Sequence, residues 1–241
     1  MIDRITITMP YYEAPEMLRL HLKYWHEYPE SILDRVRVVI VDDGSPRHPA
    51  EDVLKEMALP GFPISLYRIK ENIPWNHGGA RNLGMHVIDR QEWVVGTDFD
   101  LVLTAENAIK ILSKNVDRQH GYRFTRKRVQ AGGDMEIIKV HRESFLMTSE
   151  KFWMLGGFDE DFSGYWNGPF IPFFNRTSMA IFEDVFLTCY SGSLDSTIRE
   201  WGRGGTEWDI RSNPELLAKR DKINRRQKPK NPLRFTWEQV L

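Results

Sequence analysis

Val36-Arg37-Val38-Val39-Ile40-Val41, followed by Asp42-Asp43-Gly44-Ser45-Pro46, is the stretch that decides the fold. Its first six residues are apolar apart from Arg37 and do not alternate, the pattern of a strand covered on both faces. The run then stops in a cluster of turn-forming residues. Such a strand belongs to a mainly parallel sheet flanked by helices, and its neighbours supply the required alternation. Upstream, Ile5-Thr6-Ile7-Thr8-Met9 reads as a strand ending at Pro10. Pro15 to Glu27 reads as a helix whose apolar stripe includes Met17, Leu18, Leu20, Leu22 and Trp25. Downstream, the pattern predicts a short helix over 49–57, a strand over 64–69 and a helix over 79–89. The strand Trp93-Val94-Val95-Gly96-Thr97 and a helix over 105–115 complete this half.

The second half is less regular. Residues 121–130 and 135–141 read as extended segments around Ala131-Gly132-Gly133-Asp134, and 144–148 as a buried strand. An aromatic, Gly/Pro-rich stretch over 162–174 follows, and Phe182-Glu183-Asp184-Val185 is expected to open a helix. Lys219 to Lys230 is strongly basic and is expected to be a surface helix running into a loop.

Lys and Arg total 33 against 34 Asp and Glu, a net charge of −1. That balance gives no general attraction to nucleic acid or an anionic membrane. The single cysteine, Cys189, lies in an apolar run and reads as a core thiol; no intramolecular disulfide is available to it. No stretch approaches the ~20 apolar residues of a membrane span. The N-terminus lacks the long apolar run of a signal peptide, so the expectation is a cytoplasmic protein.

Acidic residues gather where strands end. In a parallel sheet that is where ligands bind. Asp98-Phe99-Asp100 puts two carboxylates on one face of an extended backbone, where both can reach one divalent cation. A solvated strand-end turn gives the same pattern. Asp42-Asp43-Gly44-Ser45 also has two readings: an Asp capping the next helix with Gly44 at positive φ, or a carboxylate receiving a nucleobase or ribose. One residue can do each job. Gly78-Gly79-Ala80-Arg81 opens a helix, which suits either an anion at its N-terminus or close helix–sheet packing. Glu183-Asp184 is either a solvated acidic pair or the source of a general base.

The order and spacing of these pieces resemble glycosyltransferase family 2, with its GT-A fold. The residues that carry the resemblance are Ile5 to Tyr12, Val41-Asp42-Asp43-Gly44-Ser45, Asn72, Gly79-Ala80-Arg81-Asn82-Leu83-Gly84, Asp98-Phe99-Asp100, Gly156-Gly157-Phe158-Asp159-Glu160 and Phe182-Glu183-Asp184-Val185. Together they span roughly Ile5 to Tyr190. The resemblance implies a nucleotide-sugar-binding half over 1–118, an acceptor-binding half of the same domain over 119–218, and a basic tail over 219–241. It also implies a metal-dependent, inverting transfer from a nucleotide diphosphate sugar, a UDP-sugar above all, to an acceptor hydroxyl. Pro10, Tyr11, Asp42, Asp43, Arg81 and Asp98 would then hold the donor. Asp100, with Asp98, would bind Mn²⁺ or Mg²⁺. Asp184 would act as base with Glu183 in support, and Gly157, Asp159 and Trp166 would face the acceptor. That acceptor is a glycan, a lipid-linked sugar, a protein or a modified nucleobase, and nucleic acid enters only in that role.

The sequence departs from the family pattern at three points. An aromatic insertion over 165–174 separates Gly156–Glu160 from Glu183-Asp184, no histidine follows His141, and the membrane helices of polysaccharide synthases are absent. Two rivals share the sequence features. A nucleotidyltransferase also uses an α/β sheet with acidic metal ligands, and a sugar-nucleotide-binding module could have lost catalysis. Trp75, Trp166, Trp201 and Trp208 suit either packing or sugar stacking. The stretch Trp201-Gly202-Arg203-Gly204-Gly205-Thr206 reads as a loop or a lid.

Overall fold

The computed structural model describes residues 1–129, 134–138, 140, 143–165, 170–190, 213–223 and 232–241. The first half runs β1 (Ile5–Tyr11), α1 (Pro15–His26), α2 (Glu30–Leu33), β2 (Val36–Asp42), α3 (Ala50–Glu56), β3 (Ile64–Ile69), α4 (His77–His86), β4 (Trp93–Gly96), β5 (Leu101–Val102) and α5 (Ala105–Ser113). The second runs β6 (Gly121–Val129), β7 (Met135–Ile138), β8 (Phe145–Thr148), α6 (Ser149–Met154), α7 (Phe170–Phe174), β9 (Met179–Cys189), α8 (Pro214–Ile223) and β10 (Trp237–Gln239).

One sheet unites them in the order β10-β3-β2-β1-β4-β8-β6-β9-β5, with β7 added to β6. Strands β3, β2, β1 and β4 are parallel neighbours. Every β1 residue is buried, and β2 exposes only Arg37, so the unbroken apolar run does mark a strand covered on both faces. α1 lays Met17, Leu18, His21, Leu22 and Trp25 on one face of the sheet. Pro15 opens it, Glu16 sits in its first turn and Lys23 and His26 in its last, all favourable to the helix dipole. α4 lies on the other face. A Cβ at Gly84 would stand 2.2 Å from Thr8 Oγ1, so this glycine sets how closely α4 meets β1.

The acceptor-side strands are mixed. β8 pairs antiparallel with β4 and β6 pairs parallel with β9. The helix expected at Phe182–Val185 does not form, because the segment is the middle of β9. Phe124 pairs with Phe182 but Thr125 with Phe186, so Glu183, Asp184 and Val185 form a bulge. Val185 is wholly buried, and burying it in the core holds the segment extended. The chain end also departs from a basic tail. Phe235 is buried and Trp237–Gln239 pairs with β3 as an edge strand. Residues 201–206 and 224–231 lie outside the described residues.

The aromatic insertion contributes two residues to the core among those described. Phe170 and Phe173 are buried, and Phe173 packs against Phe145, Phe152, Phe158 and Phe174 with ring centroids 4.6–6.2 Å apart. Cys189 is a buried free thiol. No helix among the described residues is long and apolar enough to cross a membrane.

Candidate active site

Strands β1 and β4 lie side by side, with α1 on one face of the sheet and α4, which leads into β4, on the other; ligands of such sheets bind at the carboxyl ends of the strands. The last sheet bond there is Thr97 N–H to the Thr8 carbonyl, 3.1 Å. Beyond it the backbone leaves the β1 ladder and carries Asp98, Phe99 and Asp100 past that end of the sheet.

Arg81, on the first turns of α4, organises this end. Its Nη2 donates to Asp98 Oδ1, its Nη1 donates to the Glu143 carbonyl at 2.6 Å, and its Nε donates to His77 Nε2 at 3.3 Å. The guanidinium also stands over the Phe170 ring, 5.4 Å from its centroid. A planar fork makes these contacts together; a lysine cannot.

Burial lowers the His77 pKa, so its imidazole is neutral near pH 7. Nε2 accepts the Arg81 Nε–H with its single lone pair and lies 3.3 Å from Asp98 Oδ1. One ligand atom from each of His77, Asp98 and Glu143 lies within 4.8 Å of the others. Burial and the charge of Asp98 push the Glu143 carboxyl up. The same two causes push Asp100 up, while Arg126 and the Cys189 thiol, 3.8 Å away, pull it back. Asp98, Asp100 and Glu143 thus stand close enough to raise one another's carboxyls, with Arg81 and Arg126 beside them, a set of oxygen donors of the kind that suits a cation.

The acids after β2 divide their work. Asp42 accepts from Ser45 N at 2.8 Å and Ala50 N at 2.9 Å, closing the turn and holding the start of α3. Gly44 sits at φ +73°, as the turn reading required. Asp43 accepts from Asn76 Nδ2 at 3.1 Å, and burial pushes its carboxyl up to about 8. Pro10 and Tyr11 end β1 beside them, and Tyr11 is buried with its hydroxyl on the His48 carbonyl.

The remaining expected residues fare differently. Asp184 is exposed and hydrogen-bonds Lys114 Nζ at 2.6 and 2.7 Å, which holds its carboxyl below the usual range. It precedes Cys189, the partner of Leu101, by five positions, ~15 Å along an extended strand. The structure thus does not bring Glu183 or Asp184 to the acids after β4. Gly157, at φ +68°, gives its carbonyl to Arg176, 2.7 Å, and Asp159 caps the following turn through Asp161 N, 3.1 Å. Trp166 lies outside the described residues. Sequence reasoning missed the roles of His77 and Glu143. His77 carried a weak signal, being adjacent to the glycine pair that opens α4; Glu143 carried none, since only the fold brings it to Asp98.

The family model for glycosyl transferase family 2 matches residues 6–186. No curated protein matches the sequence. Among solved structures, S. aureus TarS 1–349 in complex with UDP-GlcNAc superposes with a TM-score of 0.64 at 12% identity, over 91% of this chain and 65% of that one. The mannosyltransferase PcManGT from Pyrobaculum calidifontis, in complex with GDP-Man and Mn²⁺, gives 0.57 at 18% identity, over 83% and 60%. GalNAc-T7 with UDP, GalNAc and Mn²⁺ gives 0.54 at 11%, over 95% and 55%. At these identities the likeness is one of fold, and it bears out the α/β, GT-A expectation. The chain spans less than two thirds of the length of each.

Proposed function

The chain belongs to glycosyl transferase family 2, and from that premise we propose that it moves a sugar from a uridine diphosphate sugar to an acceptor hydroxyl. The transfer is metal-dependent and inverts the anomeric carbon. The observation that carries this reading is the convergence of Arg81, His77, Asp98, Glu143 and Asp100 at the carboxyl end of β4. The donor class is supported by the solved structures of similar fold, which hold UDP-GlcNAc or GDP-Man. Inversion follows from the family resemblance.

The residues present fit a divalent cation. His77 Nε2, on giving up the Arg81 Nε–H that it accepts here, would offer a lone pair 3.3 Å from Asp98 Oδ1, and Glu143 completes a group of one nitrogen and two oxygens, with Asp100 beside it. An imidazole in the set favours Mn²⁺ over Mg²⁺. When bound, such an ion supplies positive charge to a departing diphosphate. The chain's own groups do the rest. Arg81 orients Asp98 and adds a second cation at the leaving group. Asp43, held by Asn76, receives the base or ribose, while Asp42 keeps the turn that places it.

Thermal-shift measurements with UDP- and GDP-sugars, with and without Mn²⁺, followed by product analysis, test the reading. It expects a UDP-sugar to raise the melting temperature only with the ion, and release of UDP. Release of pyrophosphate from a nucleoside triphosphate would establish the nucleotidyltransferase instead. Binding with no turnover, in the presence of ion and any hydroxyl acceptor or water, would establish a binding module.

A further inference from the structure

The three carbonyls of Asp98-Phe99-Asp100 are satisfied in three different ways. Asp98 O accepts from Leu101 N at 3.2 Å within the turn, and Asp100 O from Tyr190 N at 3.1 Å across the β5–β9 edge. The Phe99 carbonyl instead lies 2.7 Å from His21 Nε2, on α1. Because a carbonyl only accepts, Nε2 carries the proton and donates. His21 is fully buried, and its Nδ1 is buried with no hydrogen-bond partner among the described residues. A side chain that leaves a buried acceptor orphaned is an expensive packing residue. Among the described residues its one hydrogen bond is to the Phe99 carbonyl.

The same helix also holds the Phe99 ring. Its centroid is 5.1 Å from the His21 ring and 5.1 Å from Tyr11, and His21 in turn packs 5.2 Å from Trp25. Phe99, between the two aspartates, is therefore clamped by a hydrogen bond and a ring contact from α1 and by a second ring contact from β1.

We propose that His21 is a positioning residue: its hydrogen bond to the Phe99 carbonyl fixes the angle between the Asp98 and Asp100 carboxylates, and so the fit of a divalent cation with a nucleoside diphosphate. The proposal rests on the metal reading above. Removing the donor leaves a part-buried carbonyl unpaired, and the Phe99–Asp100 peptide unit turns to find another partner. Asp100, which follows that peptide, turns with it relative to Asp98.

The test compares wild type with His21→Leu and His21→Gln. Leu keeps apolar bulk without a donor, whereas the Gln amide restores an N–H at comparable reach. Mn²⁺ binding in saturating UDP is read from the free-ion signal in electron paramagnetic resonance, which needs no turnover, and folding is followed by thermal melts. The expected result is at least tenfold weaker Mn²⁺ binding in His21→Leu at a temperature where it remains folded, with His21→Gln within about threefold of wild type. Equal Mn²⁺ affinity in folded His21→Leu would overturn the proposal. So would failure of a folded His21→Gln to recover more affinity than His21→Leu. If His21→Leu does not fold, folded His21→Gln decides alone: within threefold of wild type upholds the role, and a larger loss rejects it. Absence of Mn²⁺ binding by wild type would sink the metal reading itself, and this role with it.

Discussion

Arg81 and Asp98 form an ion pair in which the side chains are only 3% and 17% exposed. Breaking such a pair from one side leaves an uncompensated charge, at a cost on the order of 3–5 kcal/mol. Arg81→Lys keeps the charge but loses the fork that also reaches His77 and the Glu143 carbonyl. The expected outcome is a lower melting temperature and UDP affinity reduced more than tenfold. Calorimetric titration with UDP and Mn²⁺ checks it, and near-normal affinity would show that Arg81 is not the organiser.

Asp43 makes a pH-dependent contribution to stability. Its folded pKa is raised from 3.8 to about 8 by burial, so between those values the folded chain holds a proton that the unfolded chain has released. Stability therefore falls as pH rises through this window. Glu143 and Asp100 shift in the same direction. Asp43→Asn should accordingly flatten the decline in melting temperature between pH 5 and 8 without abolishing it, and should weaken donor binding. Melts of both proteins at several pH values check the slope.

Asp184 faces Lys114 in solvent, and exposed pairs contribute about 0–1 kcal/mol. The geometry predicts that Asp184→Asn changes turnover less than about threefold and leaves Mn²⁺ binding alone. A loss beyond a hundredfold with donor binding intact would instead establish the base that the family resemblance implies.

Phe173 is 0% exposed within the aromatic cluster of the second half. Phe173→Ala should cost about 3–5 kcal/mol, the usual range for emptying a buried aromatic site. Denaturant unfolding measures it. A change under 1 kcal/mol would mean that the insertion is peripheral rather than core.

The parallel half of the fold was legible because its longer elements carry their own pattern, whereas the short α2 and β5 carry too few residues to show one. The doubly buried run of β2 and the stripe of α1 need no distant partner to be read. The helix expected over Phe182–Val185 failed for the opposite reason. Apolar residues at 182, 185 and 186 fit a helix, yet tertiary pairing with β6 overrides that local pattern and expels Glu183 and Asp184 in a bulge. Strand β10 was invisible because its three residues become a strand only by meeting β3. In the site, Asp98, Asp100, Asp43 and Arg81 announced themselves at the ends of strands or the start of a helix. Glu143 could not, since 45 positions separate it from Asp98 in sequence. Both possibilities at Asp42-Asp43 were legible, and the structure assigns the turn to Asp42.

The central claim is that acids after β4 hold a divalent cation together with a nucleoside diphosphate. Calorimetric titration of UDP into wild type and Asp100→Asn, each with Mn²⁺ and with chelator, addresses it most directly. The expected result is that Mn²⁺ tightens UDP binding at least tenfold in wild type and that Asp100→Asn loses most of this gain. Equal UDP affinity in Mn²⁺ and in chelator for the wild-type protein would contradict it.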